Sequence, residues 1–125
     1  MTKSMKRIHK VTLKRMVDED ADTSYLDQPE FHVRRYEYDQ DKFCFIGIRA
    51  EAEVSLCRES VTDACWTVQT ITSGGLWAIE SDSSPDYLKE IEDEQLSELR
   101  EQLKAIGFSS RAISAAFKTI ERAEE

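Results

Sequence analysis

From Phe43 to Cys57 the chain alternates between two kinds of side chain without a break. Cys44, Ile46, Ile48, Ala50, Ala52, Val54 and Leu56 fall on one side, and Phe43, Phe45, Gly47, Arg49, Glu51, Glu53 and Ser55 on the other. Successive side chains of a strand point to opposite faces, so this period predicts one long half-buried strand that can bend near Gly47. The segment from Ile8 to Val17 alternates less regularly, with Val11, Leu13 and Val17 against Lys10, Thr12 and Lys14. Its β-forming residues predict an earlier strand with a basic outer face. Residues 65–72 predict a third strand. Ser73-Gly74-Gly75 then supplies the permissive backbone of a tight turn, after which LWAIE is expected to pair back as a hairpin.

After Glu80 the period becomes helical. Ser84 suits an N-cap, Pro85 the first helical position, and Asp86 the first turn, where the helix dipole favours an anion. Leu88, Ile91, Leu96, Leu99, Leu103 and Ile106 form an apolar stripe, and Glu90, Asp93, Glu94, Glu98 and Glu101 gather opposite it. Gly107 is placed to end this helix in a left-handed cap. Ser109 or Ser110 then starts a second helix with an apolar face of Ile113, Ala116, Phe117 and Ile120. Strands followed by helices predict a single α+β domain over residues 1–125: an antiparallel sheet of three to four strands, then a C-terminal helical hairpin packed on one face. Residues 1–5 are expected to be disordered, and the polar, tyrosine-containing residues 18–42 to form a long connection.

A chain of 125 residues buries about two-thirds of its unfolded surface, so it needs no disulfide or metal to fold. The formal net charge is −8, unevenly spread. Lys3, Lys6, Arg7, Lys10, Lys14 and Arg15 precede any acid, and Asp18, Glu19, Asp20, Asp22, Asp27 and Glu30 follow. Residues 71–99 hold eight acids against Lys89 alone, and form the main acidic surface. A field of that sign repels nucleic-acid phosphate and attracts basic protein surfaces, although an acidic helix face also serves simply to keep a protein soluble. With no apolar run long enough to span a bilayer and no secretory signal, the expectation is a cytoplasmic protein without membrane or direct nucleic-acid contacts.

Catalytic and metal signatures are sparse. Cys44, Cys57 and Cys65 are odd in number without a close pair, and His9 and His32 lie far from them, so reduced thiols and no zinc site are expected. No Lys follows Gly75 as a phosphate-binding loop requires, and Glu80, Asp82 and Asp86 lack EF-hand spacing. There is no G-x-S-x-G elbow and no His near a Ser or Cys in sequence. The chain is therefore expected to be no enzyme and to carry no cofactor or metal. The competing expectation is a small-ligand or enzymatic site formed by the Trp77 turn and the segment with Arg34, Arg35, Tyr36 and Tyr38. Phe43 and Phe45, on the less apolar side of the long strand, could be buried in a homodimer. Glu92 falls inside the apolar stripe and is expected to be partly exposed, either at the edge of the sheet contact or facing a Lys or Arg on a strand.

Three stretches, FIGIRAEAEV, VQTITSGGLWAIESDSSPDYL and EQLSELREQLKAIGF, resemble a family of small uncharacterised proteins of bacteriophages and mobile elements. The similarity covers about half the chain and centres on SGGLW-IESDS, with Ala78 where the family pattern has Gly and an apparent insertion at residues 57–65. No catalytic residue is implied by it. The resemblance implies a phage or mobile-element setting, in which small acidic proteins often bind host machinery. The expected function is inhibition of a host nucleic-acid-handling defence protein, of anti-CRISPR or anti-restriction type. The binding surface would be Glu90, Asp93, Glu94, Glu98 and Glu101 with Glu80 and Asp82, docking on a basic host surface in the host cytoplasm.

Overall fold

The long strand is β2 (Phe45–Glu59), and the sheet is assembled on its two edges. One edge pairs antiparallel with β1 (Lys6–Val17); the other pairs antiparallel with β3 (Ala64–Thr72) and then with β4 (Leu76–Glu80). The computed structural model describes residues 6–59 and 64–125; the expected disorder of residues 1–5 and the core of the apparent insertion lie outside the described residues. The chain folds as α+β with a mixed five-stranded sheet, ordered β3-β2-β1-β5, because β5 (Ile120–Glu124) runs parallel to β1. The expected purely antiparallel sheet is corrected by that last strand.

The hairpin expected at Ser73-Gly74-Gly75 is also corrected. β4 does not turn back on β3; it continues along the same edge of β2. Four residues from Thr72 to Leu76 span three on β2, and three from Leu76 to Ile79 span two, so the glycines and Trp77-Ala78 act as bulges rather than as a turn. The second bulge puts Ala78 in the left-handed region, at φ 58°, and lays the Trp77 ring where a Cβ on residue 47 would stand, which is why Gly47 has none.

Helix α2 (Pro85–Ala105) is capped as expected, with the Ser84 hydroxyl accepting the Tyr87 amide at 3.3 Å. Gly107, at φ 101°, ends it, and the Phe108 amide closes on the Leu103 carbonyl at 3.1 Å. Ser109 caps α3 (Ser110–Ala116), but this helix is shorter than expected. Ile120, the last member of its proposed apolar face, reaches the core from β5 instead.

Two apolar clusters fill the space between the sheet and the helices. One joins Val11, Leu13, Ala50, Ala52 and Val54 to Leu99, Leu103, Phe108, Ile113 and Phe117; the other joins Ile46, Ile48 and Ile79 to Leu88 and Ile91. A third lies at the β2 start, where Phe43 and Phe45 are buried against Leu26, Tyr25, Phe31 and Tyr38. Residues 18–42 are thus more than a connection. They carry two short 3-10 turns, at Ser24–Asp27 and Pro29–Phe31, and helix α1 (His32–Asp39), and they cover the aromatic pair that was expected to face a second copy.

Candidate functional site

Because the stripe of α2 is pulled onto the sheet, its opposite face is forced outward. Glu90, Asp93, Glu94, Glu98 and Glu101 are all exposed. Among the described residues none of these five carboxylates lies within 4 Å of a cationic nitrogen. Glu98 alone has a backbone partner, accepting the Gly74 amide at 2.8 Å. Three of the basic residues of β1, Lys6, Lys14 and Arg15, are used elsewhere. Lys6 donates to the Ile106 carbonyl at 2.8 Å, capping the C-terminus of α2. Lys14 meets Glu51 at 2.9 Å and Glu125 at 3.0 Å, partners that raise its pKa. Arg15 lies 3.7 Å from Glu92.

Glu80 and Asp82, grouped with this strip by their charge, are held differently. Arg34 of α1 forks onto Asp82 through two bonds of 2.8 and 3.0 Å, binds Glu80 with its Nη2, and lies 3.8 Å over the Phe43 ring. Tyr25 donates its hydroxyl to Glu80 at 2.6 Å. The guanidinium bonds hold Asp82 below the usual carboxylate range and raise Arg34 further. Burial, then the bond to Glu80 and its charge, push the Tyr25 phenol up to about 12. These groups weld residues 18–42 to β4 and leave Glu80 little freedom to meet a partner.

The SGGLW-IESDS stretch is consumed by the fold in the same way. Ser73 Oγ accepts the Ala50 amide at 2.9 Å and donates to Gln95 Oε1 at 2.7 Å; the same Gln95 oxygen accepts the Gly75 amide at 2.9 Å. Ser81 Oγ accepts the Cys44 amide at 2.9 Å, and Ser83 donates to the Glu80 carbonyl at 2.6 Å. Bulges free backbone amides from the ladder, and a buried amide without an acceptor is costly, so α2 supplies one. Gln95 has no sequence signature beyond being polar on the sheet-facing side of α2, and it was missed.

Glu92 is a second correction on that side. It is 6% exposed rather than partly exposed, but it does face arginines on strands: Arg122 of β5 at 2.6 Å and Arg15 of β1 at 3.7 Å.

The Tyr/Arg segment is dispersed. Arg34 is committed to Glu80 and Asp82, Arg35 lies near Asp27 and Asp39, Tyr38 packs on Phe43 and Phe45, and Tyr36 is exposed. An open groove of about 530 Å³ lies elsewhere, between Lys6–Lys10 of β1 and the alanines of α3. Among the described residues no group of three or more His, Cys, Asp or Glu is placed to hold a metal ion. Among the described residues no helix is long and apolar enough to cross a membrane. Cys44 is a free, exposed thiol. No protein-family model, curated protein or solved structure matches this chain.

Proposed function

We propose that this chain is a non-enzymatic binding protein whose α2 face, Glu90, Asp93, Glu94, Glu98 and Glu101, docks on a basic surface of a nucleic-acid-handling protein. One contrast supports the reading. Glu80, Asp82, Glu92 and Glu51 each have a cationic partner inside the fold, whereas Glu90, Asp93, Glu94, Glu98 and Glu101 have none among the described residues. Exposed like charges repeated along a rigid helix steer a partner of opposite sign and compete with phosphate for it. Together with the resemblance to phage and mobile-element proteins, this favours an inhibitor of host defence, with a CRISPR or restriction complex as the target. Glu80 and Asp82 leave the docking surface, since Arg34 already occupies them.

The test is phage plating on cells that carry a defence system, with and without this protein, beside binding to the purified defence complex. The protein restores plating and binds with an affinity that falls as salt rises. Reversing Glu90 and Glu94 to Lys weakens binding by roughly tenfold or more and abolishes the rescue. Inhibition that survives this reversal with unchanged salt dependence removes the proposal. The ligand-site alternative has less support, because its arginines are spent on internal carboxylates; a thermal shift with nucleotides or divalent ions would revive it.

A further inference from the structure

The two outer strands of the sheet are built in opposite ways. β5 is short, and three of its five residues, Glu121, Arg122 and Glu124, are charged, which is how natural sheets discourage pairing with a foreign strand. β3 ends the other side of the sheet, and among the described residues no strand pairs with its outer edge. It is nine residues long. From Ala64 to Ile79 the chain has no charged residue and no proline, although 34% of the whole sequence is charged. Apolar side chains are also left open along this edge: Val68 is 62% exposed, Trp77 42% and Leu76 39%.

We propose that β3 pairs antiparallel with β3 of a second copy of this chain, joining the two sheets about a two-fold axis. Charge selects this occupant and this edge. Two copies of a chain carrying −8 repel over most of their surface, and the α2 strip concentrates that repulsion, but β3, and β4 as far as Ile79, bring no charge to the contact. An antiparallel strand can pair with its own copy symmetrically, so each edge satisfies the other and the assembly closes as a dimer instead of growing into a filament. The interface differs from the one expected from Phe43 and Phe45, which are covered within the chain.

Sedimentation from low micromolar to submillimolar concentration tests the proposal, with amide hydrogen exchange recorded across the same range. A monomer–dimer equilibrium is expected, with exchange in Thr67–Thr72 slowing as the dimer forms. Replacing Val68→Lys and Gln69→Lys together places like charges across the axis and shifts the equilibrium to monomer by at least a hundredfold in dissociation constant, while Glu121→Lys on the opposite edge leaves it unchanged. A monomer at every concentration, a dimer indifferent to the β3 lysines, or concentration-dependent protection confined to another element each overturns the proposal. Slowed exchange in β3 that appears only when a different protein is added assigns the edge to a foreign strand instead.

Discussion

The Glu92 carboxylate on α2 receives Arg122 of β5 at 2.6 Å and stands 3.7 Å from Arg15 of β1, so one buried acid ties the helix to both strands of the parallel pair. β5 has only five residues and, among the described residues, a single neighbour in the sheet, so this link adds to the Lys14–Glu125 ion pair and the Arg15–Glu125 backbone bond in holding the C-terminus in place. Replacing Glu92→Leu is expected to lower stability by about 1.5–3 kcal/mol, the range for hydrogen bonds to charged groups, despite the extra apolar surface that Leu brings. Arg122→Ala costs less, because Arg15 remains. In the Arg122→Ala background the Glu92→Leu loss shrinks, and a double-mutant cycle by urea denaturation measures the difference. An additive cycle would mean that the two side chains act independently.

Gln95 presents a similar case with a neutral group. Its Oε1 accepts from Ser73 and Gly75, and both donors lie on the bulge that carries β3 into β4. Gln95→Leu leaves them without an acceptor and is expected to cost about 1–3 kcal/mol. Gln95→Glu keeps the acceptor and costs less. Hydrogen exchange at Gly75 reads the effect locally, and an unchanged rate in the Leu variant would contradict it.

Ala78 stands at φ 58°, where a Cβ crowds the following carbonyl. Relieving that crowding outweighs the greater freedom glycine gains when unfolded, so Ala78→Gly is expected to raise stability by about 0.5–1 kcal/mol. Thermal unfolding checks the sign.

What was legible in the sequence was whatever repeats along one element. The alternation around Ile48 located β2, and the Leu88 to Leu103 stripe with Ser84 and Gly107 located α2 with both its ends. What escaped depends on distant partners. Ser73-Gly74-Gly75 has the composition of a turn, and only its bonds to Ala50 and Gln95 make it a bulge. Ile120 fits a helical period equally well, and its pairing with Val11 decides for strand. Arg34 carries no local sign that it will meet Glu80 and Asp82, 46 and 48 residues away. The charge strip on α2 was visible because it is local; the removal of Glu80 and Asp82 from it was not.

The Arg34 cluster contributes to both limbs of the pH profile. Asp82 titrates lower in the folded chain than when unfolded, so its contribution is complete above the unfolded carboxylate value of about 4 and disappears as pH falls through the folded value. Tyr25 titrates higher when folded, so its share is complete below its ordinary value of 10.0 and fades as pH rises through about 12. Stability is expected to stay level across the neutral range and to fall at both ends. Arg34→Gln lowers the plateau and flattens the acid limb, since the ion pair is then already absent. An acid limb as steep in the variant as in the parent, in urea titrations at stepped pH, would assign it to other carboxylates.

The α2 strip makes the opposite prediction for stability. Glu94 lies one helical turn from Glu90 and one from Glu98, and like charges at that spacing destabilise a helix by about 0.2–0.5 kcal/mol per pair. Glu94→Lys replaces two repulsions with two attractions, at an exposed position. Stability should therefore rise by several tenths of a kcal/mol at low salt, with the gain shrinking as ionic strength screens it. A surface kept only for solubility would lose nothing else by this change, because a lysine is equally well hydrated. Under the docking reading the same variant gains stability and loses its partner, so the two readouts move in opposite directions. A Glu94→Lys protein that is more stable and still inhibits fully would leave the strip as a solvated helix face.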